Sequence, residues 1–343
     1  MKKAFVLITI FAAFIAFKAM DPVLYSFPFN WPATVYNFTK NPLSEAKVQL
    51  GRALFYDPVL SQDSTISCES CHSQYTAFTH VDHALSHGID NRIGTRNAPS
   101  LMNLAWGNSF MWDGAINHLD MQALAPISHP DEMGEKMAHV VDKLKHSNIY
   151  PALYFKAYGD SLITGEHTLK AISQFLLTLV SANAKYDSVM RKESSFTIQE
   201  TNGYKLFLEN CASCHKEPLF TNQQFESNGL PIDTTLNDFG RYKVTGNISD
   251  SFLFKVPTLR NIQFSNPYMH DGRFKRLHDV LKHYSSGIIQ SKHLSNQLTK
   301  PIILSANDRV DLVAFLLTLT DKTFLFNPVF SYTKDIYSYN AKE

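Results

Sequence analysis

Two copies of one short motif contain every cysteine of the chain. CESCH occupies residues 68–72 and CASCH occupies residues 211–215, and the sequence has four cysteines in all. Two thiols three positions apart can each form a thioether with a vinyl group of haem, and the following histidine can ligate the iron. Two chance matches are expected on the order of once in a million sequences of this composition. The motifs predict two covalently bound c-type haems, one on Cys68, Cys71 and His72 and one on Cys211, Cys214 and His215.

Two other uses of paired cysteines compete with this interpretation. A zinc site could take all four thiolates, but it would not need a histidine after each pair. Two local disulfides would suit an exported protein, and again both histidines would be coincidental. Haem attachment explains all six residues, so it is the favoured interpretation.

Helical patterns surround both motifs. Apolar residues recur at helical spacing in NPLSEAKVQLGRALFY (41–56), where Ser44 is a suitable N-cap. Further helices are predicted at 167–189, at 198–210 and at 307–319, the last capped by Ser305. Residues 78–99 are rich in Gly, Asp and Asn and predict a loop. We therefore expect a mainly α fold, with two cytochrome c-like haem domains in tandem and long irregular loops.

The length of 343 residues fits two domains of ordinary size. The order of elements places an N-terminal haem domain at 41–190 and a C-terminal haem domain at 196–325, joined by the polar run 191–195. The formal net charge of +1 gives no reason to expect a nucleic-acid partner. A homodimer is left open by the sequence.

The first 20 residues have the pattern of an export segment. Lys2 and Lys3 precede an apolar run of fourteen residues, Ala4 to Phe17, which suits a signal peptide better than a membrane-spanning helix. Because the cleavage site is poorly defined, an uncleaved N-terminal membrane anchor is the alternative. A periplasmic location is expected in both cases.

Several blocks in order resemble the bacterial dihaem cytochrome c peroxidase family, including its MauG-type branch. The resemblance covers roughly residues 41–325. Its blocks are LGRALFYDPVLSQDSTISCESCH, GTRNAPSLMNLAWGNSFMWDG, the HPDEMG segment, FKVPTLRNIQFSNPYMHDGRF and DLVAFLLTLTD. The resemblance implies that hydrogen peroxide reacts at the N-terminal haem. It also implies that the C-terminal haem receives electrons from a small donor, either a cytochrome c or a copper protein.

The resemblance assigns three residues to the peroxide site. Trp112 matches the tryptophan that lies between the two haems, although a lone Trp is more often a core aromatic. Gln122 and Glu132 stand ten and twenty residues after Trp112, as the family's peroxide-pocket Gln and Glu do. A carboxylate in a desolvated pocket can move the proton that peroxide cleavage requires, and an amide can donate a hydrogen bond to peroxide. Asp131 and Glu135 are the alternative carboxylates.

A calcium ion between the domains is also implied by the resemblance. The matching ligands are the side chain of Asn97 and the main-chain carbonyls of Ser265 and Pro267. Hard cations prefer such oxygen ligands. Asn97 could equally be an ordinary turn residue.

The chain departs from the standard peroxidases at two positions. Ile89 stands where a displaceable distal histidine closes the N-terminal haem, with His87 two residues earlier and His80 and His83 nearby. Ile89 predicts an open, five-coordinate N-terminal haem, as in the MauG-type branch. His87 could restore the closed form only if the loop shifted.

Tyr284 stands where the standard peroxidases supply a methionine ligand to the C-terminal haem. A phenolate ligand stabilises ferric iron and lowers the reduction potential, whereas a thioether raises it. Met269 and His283 are the alternative ligands.

Three functions are consistent with these residues. The main expectation is a dihaem peroxidase that reduces hydrogen peroxide with electrons from a small c-type cytochrome or similar donor. One alternative is a MauG-like, peroxide-dependent oxidase of a protein or organic substrate. A non-enzymatic electron carrier is the other, but such a carrier needs no proton-transfer group like Glu132 at an open iron.

Overall fold

The computed structural model describes residue 28 and residues 30–332, so the predicted export segment lies outside the described residues. The fold is mainly helical, as expected. Seven helices form the first half: α1 (Glu45–Tyr56), α2 (Leu119–Gln122), α3 (Leu124–Ser128), α4 (Met137–Lys145), α5 (Tyr150–Tyr158), α6 (Gly165–Thr178) and α7 (Lys185–Met190). Five form the second: α8 (Ile198–Asn210), α9 (Tyr242–Thr245), α10 (Leu277–Lys282), α11 (Ala306–Leu317) and α12 (Lys322–Leu325).

Strand structure is limited to one small ribbon within the described residues. Strands β1 (Phe225–Glu226) and β2 (Phe254–Lys255) pair antiparallel, with Phe225 opposite Lys255. In the same described part of the chain, no helix is long and apolar enough to cross a membrane.

Local sequence signals set several helix ends as predicted. Ser44 caps α1 by accepting a hydrogen bond from the Lys47 amide, and Ser305 caps α11 through the Asp308 amide. The predicted helix at 198–210 is α8, with a capping box formed by Thr197 and Glu200.

The long helix predicted at 167–189 is wrong, because residues 179–184 separate α6 from α7. The Asp321 carboxylate accepts hydrogen bonds from the Asn183 amide (2.9 Å) and the Ser181 hydroxyl (3.2 Å). The side-chain Oδ1 of Asn103 accepts from the Ser181 amide (2.9 Å). Side-chain acceptors thus replace the helical carbonyls for these amides.

The two halves repeat one helix crossing. Gly51 of α1 lies against the main-chain oxygen of Ala171 in α6, and Gly203 of α8 lies in the same way against Asp311 in α11. A Cβ atom at either glycine would overlap that oxygen. Each crossing therefore needs a residue without a side chain, and in each half the helix that carries this glycine precedes the haem motif.

Each half has its own apolar core. The first gathers α1, α5 and α6 around Phe55, Phe175 and Tyr154, and the second gathers α8 and α11 around Phe207 and Phe315. The end of the described chain returns to the first core, where Phe324 packs 5.6 Å from Phe78, ring centre to ring centre. The two halves are thus joined by more than one crossing of the chain.

We expect the substitution Gly203→Ala to destabilise the C-terminal half. The added methyl group would overlap the Asp311 carbonyl and approach the Cβ of Phe315, and overpacking of this kind costs about 1–3 kcal/mol. Denaturant unfolding followed by circular dichroism measures the loss. Lys205→Ala, at an exposed position of the same helix, is the matched control and should stay within about 0.5 kcal/mol of the unaltered protein. Equal stability of the two variants would contradict the close crossing.

Candidate functional site

Both motif histidines are held in the same way. The Nδ1 atom of His72 lies 2.8 Å from the Phe78 carbonyl oxygen, and Nδ1 of His215 lies 3.2 Å from that of Phe220. With Nδ1 engaged as a donor, Nε2 is the free ring nitrogen, which is the atom that ligates haem iron. Burial lowers the pKa of each imidazole to about 4, so each ring is neutral and its lone pair is available.

The two carbonyls come from strained turns. Phe78 has φ of 57° and Phe220 has φ of 55°, in the left-handed region that bulky residues rarely adopt. Such a conformation costs of order 1–3 kcal/mol. Both phenylalanine side chains are fully buried, which contributes about 1.5–3 kcal/mol each and offsets the strain. Burial of each phenylalanine ring thus stabilises the strained turn whose carbonyl orients the histidine.

The four cysteines have the state that haem attachment needs. No disulfide joins any of the four cysteines in the described part of the chain. Cys68 packs on the first core and Cys211 on the second, which separates the two pairs. That separation speaks against a zinc site that would take all four thiolates. Burial raises the pKa of Cys68 and of Cys211 to about 12.

A cavity of about 330 Å³ lies against the second motif. Its wall includes Cys211, Cys214 and His215, and it extends to Trp112 and Gln122 of the first half. A thiol pair, a fixed imidazole and an adjoining cavity are what a c-type haem requires, so the residues present fit that group.

Two of the three ligand candidates for the second haem face this cavity. Tyr284 and Met269 both line it, and both reach the side-chain amide of Asn228, whose Nδ2 lies 3.3 Å from the Met269 sulfur. Burial raises the pKa of Tyr284 to about 12, with smaller contributions from Cys211 and Cys214. The π-helical turn His283–Gly287 carries Tyr284, and such turns often re-aim functional side chains.

His283, the third candidate, is buried outside the cavity lining. Its Nε2 lies 3.0 Å from the main-chain oxygen of Asn228. A ring committed to that carbonyl is not placed to ligate the second haem.

Hydrogen bonds of Trp112 and of the next residue hold this segment between the two halves of the chain. Its indole N–H donates to the Asn97 carbonyl (2.8 Å), and its own carbonyl accepts from the Lys255 amide (2.7 Å). The next residue, Asp113, accepts from Arg96 (2.7 Å), which also binds Asp238 of the second half through two hydrogen bonds. The half-buried indole lines the cavity of the second motif.

Glu132 lies beside the first motif. Burial raises its pKa, Asp131 raises it further, and the nearby His129 opposes the shift. The pKa of the Cys71 thiol is raised chiefly by burial, and the charge of Glu132 adds to that shift. The alternative carboxylate Glu135 is instead bound to Lys143 (2.7 Å) and close to His139 (3.2 Å).

Gln122 lines the cavity and its amide nitrogen lies 3.8 Å from the sulfur of Met111, the neighbour of Trp112. Of the three predicted peroxide-site residues, the structure thus brings Trp112 and Gln122 to one cavity. Glu132 is not among the residues that line it.

The loop that carries Ile89 is anchored on the Glu132 segment. The Ile89 amide donates to the Glu132 carbonyl (2.8 Å), and the buried Ile89 side chain lies over Gly134. Any side chain at Gly88 would overlap the backbone of Asp131 and Glu132. The backbone around Ile89 is therefore closely packed.

His87 belongs to a cluster of three histidine rings. Its ring lies 4.2 Å from that of His83, which stacks on His80. Its main-chain oxygen lies 3.5 Å from the Cys71 sulfur of the first motif.

The three residues named for calcium line the same cavity. Asn97, Ser265 and Pro267 all line the cavity, and Asn97 is almost fully buried. The Asn97 amide nitrogen donates to the Ala84 carbonyl (3.0 Å), which leaves the Oδ1 atom for another partner.

Sequence reasoning missed the anchoring carbonyls of Phe78 and Phe220, since a left-handed phenylalanine carries no signal in the sequence. It also missed Arg96, which ties the segment around Trp112 to the second half through Asp238.

Two family models match the chain. Residues 45–195 match the model described as di-haem cytochrome c peroxidase, and residues 200–320 match the cytochrome c model. The methylamine utilization protein MauG of Methylorubrum extorquens is 37% identical over 303 residues, which cover 85% of this chain and 83% of that protein. The cytochrome c551 peroxidase of Nitrosomonas europaea is 33% identical, with 81% of each chain covered.

Solved structures agree with these matches. The crystal structure of a MauG-like protein associated with microbial copper homeostasis superposes with a TM-score of 0.80 at 32% identity, covering 90% of this chain and 98% of that one. The diheme peroxidase BthA from Burkholderia thailandensis gives a TM-score of 0.72 at 22% identity and shows the same fold, covering 83% of this chain and 88% of that one.

Substitutions at Tyr284 and Met269 distinguish the two candidate ligands that line the cavity. We expect Tyr284→Phe to change the electron paramagnetic resonance (EPR) spectrum of the second haem and to raise its reduction potential, because a phenolate stabilises ferric iron. Met269→Leu should leave both nearly unchanged. Mass spectrometry should find two covalent haems in each variant, which controls for loss of the site. A spectrum altered only by Met269→Leu would assign the ligand to the thioether instead.

Proposed function

We propose, from the premise that this chain belongs to the di-haem cytochrome c peroxidase family, that it reduces hydrogen peroxide at the first motif, with Glu132 and Gln122 acting on peroxide. The chain is an oxidoreductase of the cytochrome-c-peroxidase type and a haem protein. The observation that supports the assignment of the site is the half-buried Glu132 carboxyl beside Cys71 of the first motif.

Glu132 has the environment of a proton carrier. Haem, when bound, supplies the iron at which peroxide is reduced. The carboxylate can take a proton from the inner oxygen of hydrogen peroxide and return it to the departing oxygen, which leaves as water. Burial makes the protonated form easier to reach, so one group can perform both transfers. Gln122 can donate an amide hydrogen bond that orients the peroxide.

Trp112 is proposed as the link between the two haems. The indole lies in the wall of the second-motif cavity, and its hydrogen bond to Asn97 and the Arg96 ion pairs hold that segment in place. A fixed aromatic ring with an accessible π system can relay an electron or a hole without a large rearrangement. Electrons would enter at the second haem from a small donor, a cytochrome c or a copper protein.

Calcium is proposed as a structural ion between the halves. The Asn97 Oδ1 atom and the carbonyls of Ser265 and Pro267 supply hard oxygen ligands, with water completing the shell. Because Asn97 also receives the Trp112 indole N–H, an ion there would stiffen the link between the haems. Export to the periplasm is proposed on the leader-like residues 1–20.

A second function is favoured by Ile89 and Tyr284. An aliphatic side chain offers iron no lone pair, and a phenolate makes high oxidation states of the second haem more accessible. A chain with both features could store oxidising equivalents and withdraw electrons from a protein or organic substrate, as an oxidase. Steady-state peroxide consumption with reduced cytochrome c as donor separates the two. Rapid turnover supports the peroxidase, and slow turnover with persistent oxidised haem supports the oxidase.

The substitution Glu132→Gln should reduce peroxide turnover by about 10²–10⁴-fold while both haems stay attached, because the amide cannot accept the proton. Turnover of the unaltered protein should fall on acidification at a pH above the usual carboxyl range, since burial raises the pKa of Glu132 and only the ionised form is a base. Asp131→Asn, the adjacent carboxylate, is the control and should keep most of the activity. Near-normal turnover in Glu132→Gln would remove Glu132 from the mechanism.

A further inference from the structure

Two tyrosines share one carboxylate beside the second motif. The Tyr186 hydroxyl donates to Glu217 Oε1 at 2.5 Å, and the Tyr204 hydroxyl donates to the same oxygen at 3.0 Å. Tyr186 lies on α7, Tyr204 on α8, and Glu217 in the loop after the motif. Tyr186 is 4% exposed, whereas Tyr204 and Glu217 are half-buried. One end of this group is therefore deep in the second core and the other reaches towards solvent.

Tyr186 of this group and His215, the predicted iron ligand, both contact Phe220. Glu217 follows His215 by two residues. The Tyr186 ring packs edge-on against Phe220, with 4.8 Å between ring centres. The carbonyl of Phe220 accepts the hydrogen bond from His215 Nδ1. A continuous path of contacts therefore joins the axial imidazole to the Tyr186 phenol.

The hydrogen bonds to Glu217 provide what oxidation of a buried phenol requires, a base that can accept its proton. A phenol that loses an electron becomes a strong acid, so its proton must pass to a base within hydrogen-bond reach. Glu217 is at that distance from both phenols.

A nearby cation favours loss of the proton together with the electron. The Arg260 guanidinium lies 6.0 Å from the centre of the Tyr186 ring and is held by two hydrogen bonds to Asp187, at 2.9 and 2.8 Å. Its charge disfavours a cationic ring. A neutral tyrosyl radical is therefore the stable product.

We propose that Tyr186 and Tyr204 form a redox-active pair that gives an electron to the second haem, with Glu217 as the proton acceptor. The inference rests on the proposed peroxide reaction, since hydrogen peroxide supplies the oxidising equivalents. The step balances. One electron passes from Tyr186 to the peroxide-oxidised cofactor, which is thereby reduced by one electron. The O–H bond of Tyr186 breaks, and its proton forms a new O–H bond on Glu217. Tyr204 then gives an electron to Tyr186. Glu217 returns its proton to the Tyr186 oxygen and accepts the hydroxyl proton of Tyr204, so Tyr186 is restored and the radical moves towards the surface.

A third tyrosine shows why proximity alone is not enough. Tyr268 lines the cavity of the second motif, but its hydroxyl donates to the main-chain carbonyl of Ile262 at 2.9 Å. An amide carbonyl is too weak a base to take a proton at neutral pH. Tyr268 is therefore the matched control: close to the haem, hydrogen-bonded, and without a proton acceptor.

The test uses the full haem-loaded protein, oxidised, mixed with one equivalent of hydrogen peroxide and frozen within milliseconds. EPR spectroscopy should detect an organic radical, and growth on ring-deuterated tyrosine should narrow its hyperfine pattern. The signal should be lost in Tyr186→Phe and in Glu217→Gln, and Tyr268→Phe should retain it. In Tyr204→Phe the radical should stay on Tyr186, with a changed hyperfine pattern. The unaltered labelled protein alone tests the proposal if a variant fails to fold.

Three outcomes would overturn the proposal. The first is a response of the haem Soret band to peroxide in the unaltered protein, with no radical whose EPR spectrum changes on deuteration of tyrosine. That result would overturn this inference but not the proposed peroxide reaction. The second is a tyrosyl signal that survives in Tyr186→Phe or disappears equally in Tyr268→Phe. The third is a Soret band that does not respond, which overturns this inference and the proposed peroxide reaction together.

Discussion

The hydrogen bond from Nδ1 of each motif histidine to a main-chain carbonyl orients the imidazole so that Nε2 is the nitrogen that would ligate haem iron. In both halves that carbonyl belongs to a phenylalanine in the left-handed region, Phe78 or Phe220, whose ring is fully buried. The strain of the turn, about 1–3 kcal/mol, is of the same size as the gain from burying the ring. The turn therefore persists only while the core is packed. Those cores depend in turn on the helix crossings at Gly51 and Gly203.

The residues beyond the histidines differ between the two halves of the scaffold. Around the first motif, the loop with Ile89 is tied to the Glu132 segment, and the half-buried Glu132 carboxyl lies beside the Cys71 thiol. Around the second, the cavity presents Tyr284 and Met269, which are ligand candidates instead of proton carriers. Trp112 and the Arg96 ion pairs connect the two environments. We infer that peroxide reduction and proton transfer take place at the first site, and that the second site transfers electrons.

Features with local causes could be predicted from the sequence. The haem motifs, the Ser44 and Ser305 caps and both ends of α8 depend on residues only a few positions apart. The break between α6 and α7 could not be predicted, because it depends on Asp321, about 140 residues away. The same holds for the carboxylate shared by Tyr186 and Tyr204, since 31 residues separate Tyr186 from Glu217. The roles of Glu132 and Tyr284 came from family resemblance, since a lone Glu or Tyr indicates little by itself.

We propose as the central claim that the first haem is open in the fully oxidised protein, because the aliphatic side chain of Ile89 offers iron no ligand. Mixing oxidised protein with one equivalent of hydrogen peroxide and following the Soret band tests this claim most directly. The account predicts a spectral change within the mixing experiment, without any prior reduction. A Soret band that changes only after the second haem is reduced, together with a low-spin first haem bearing two histidine ligands, would contradict it.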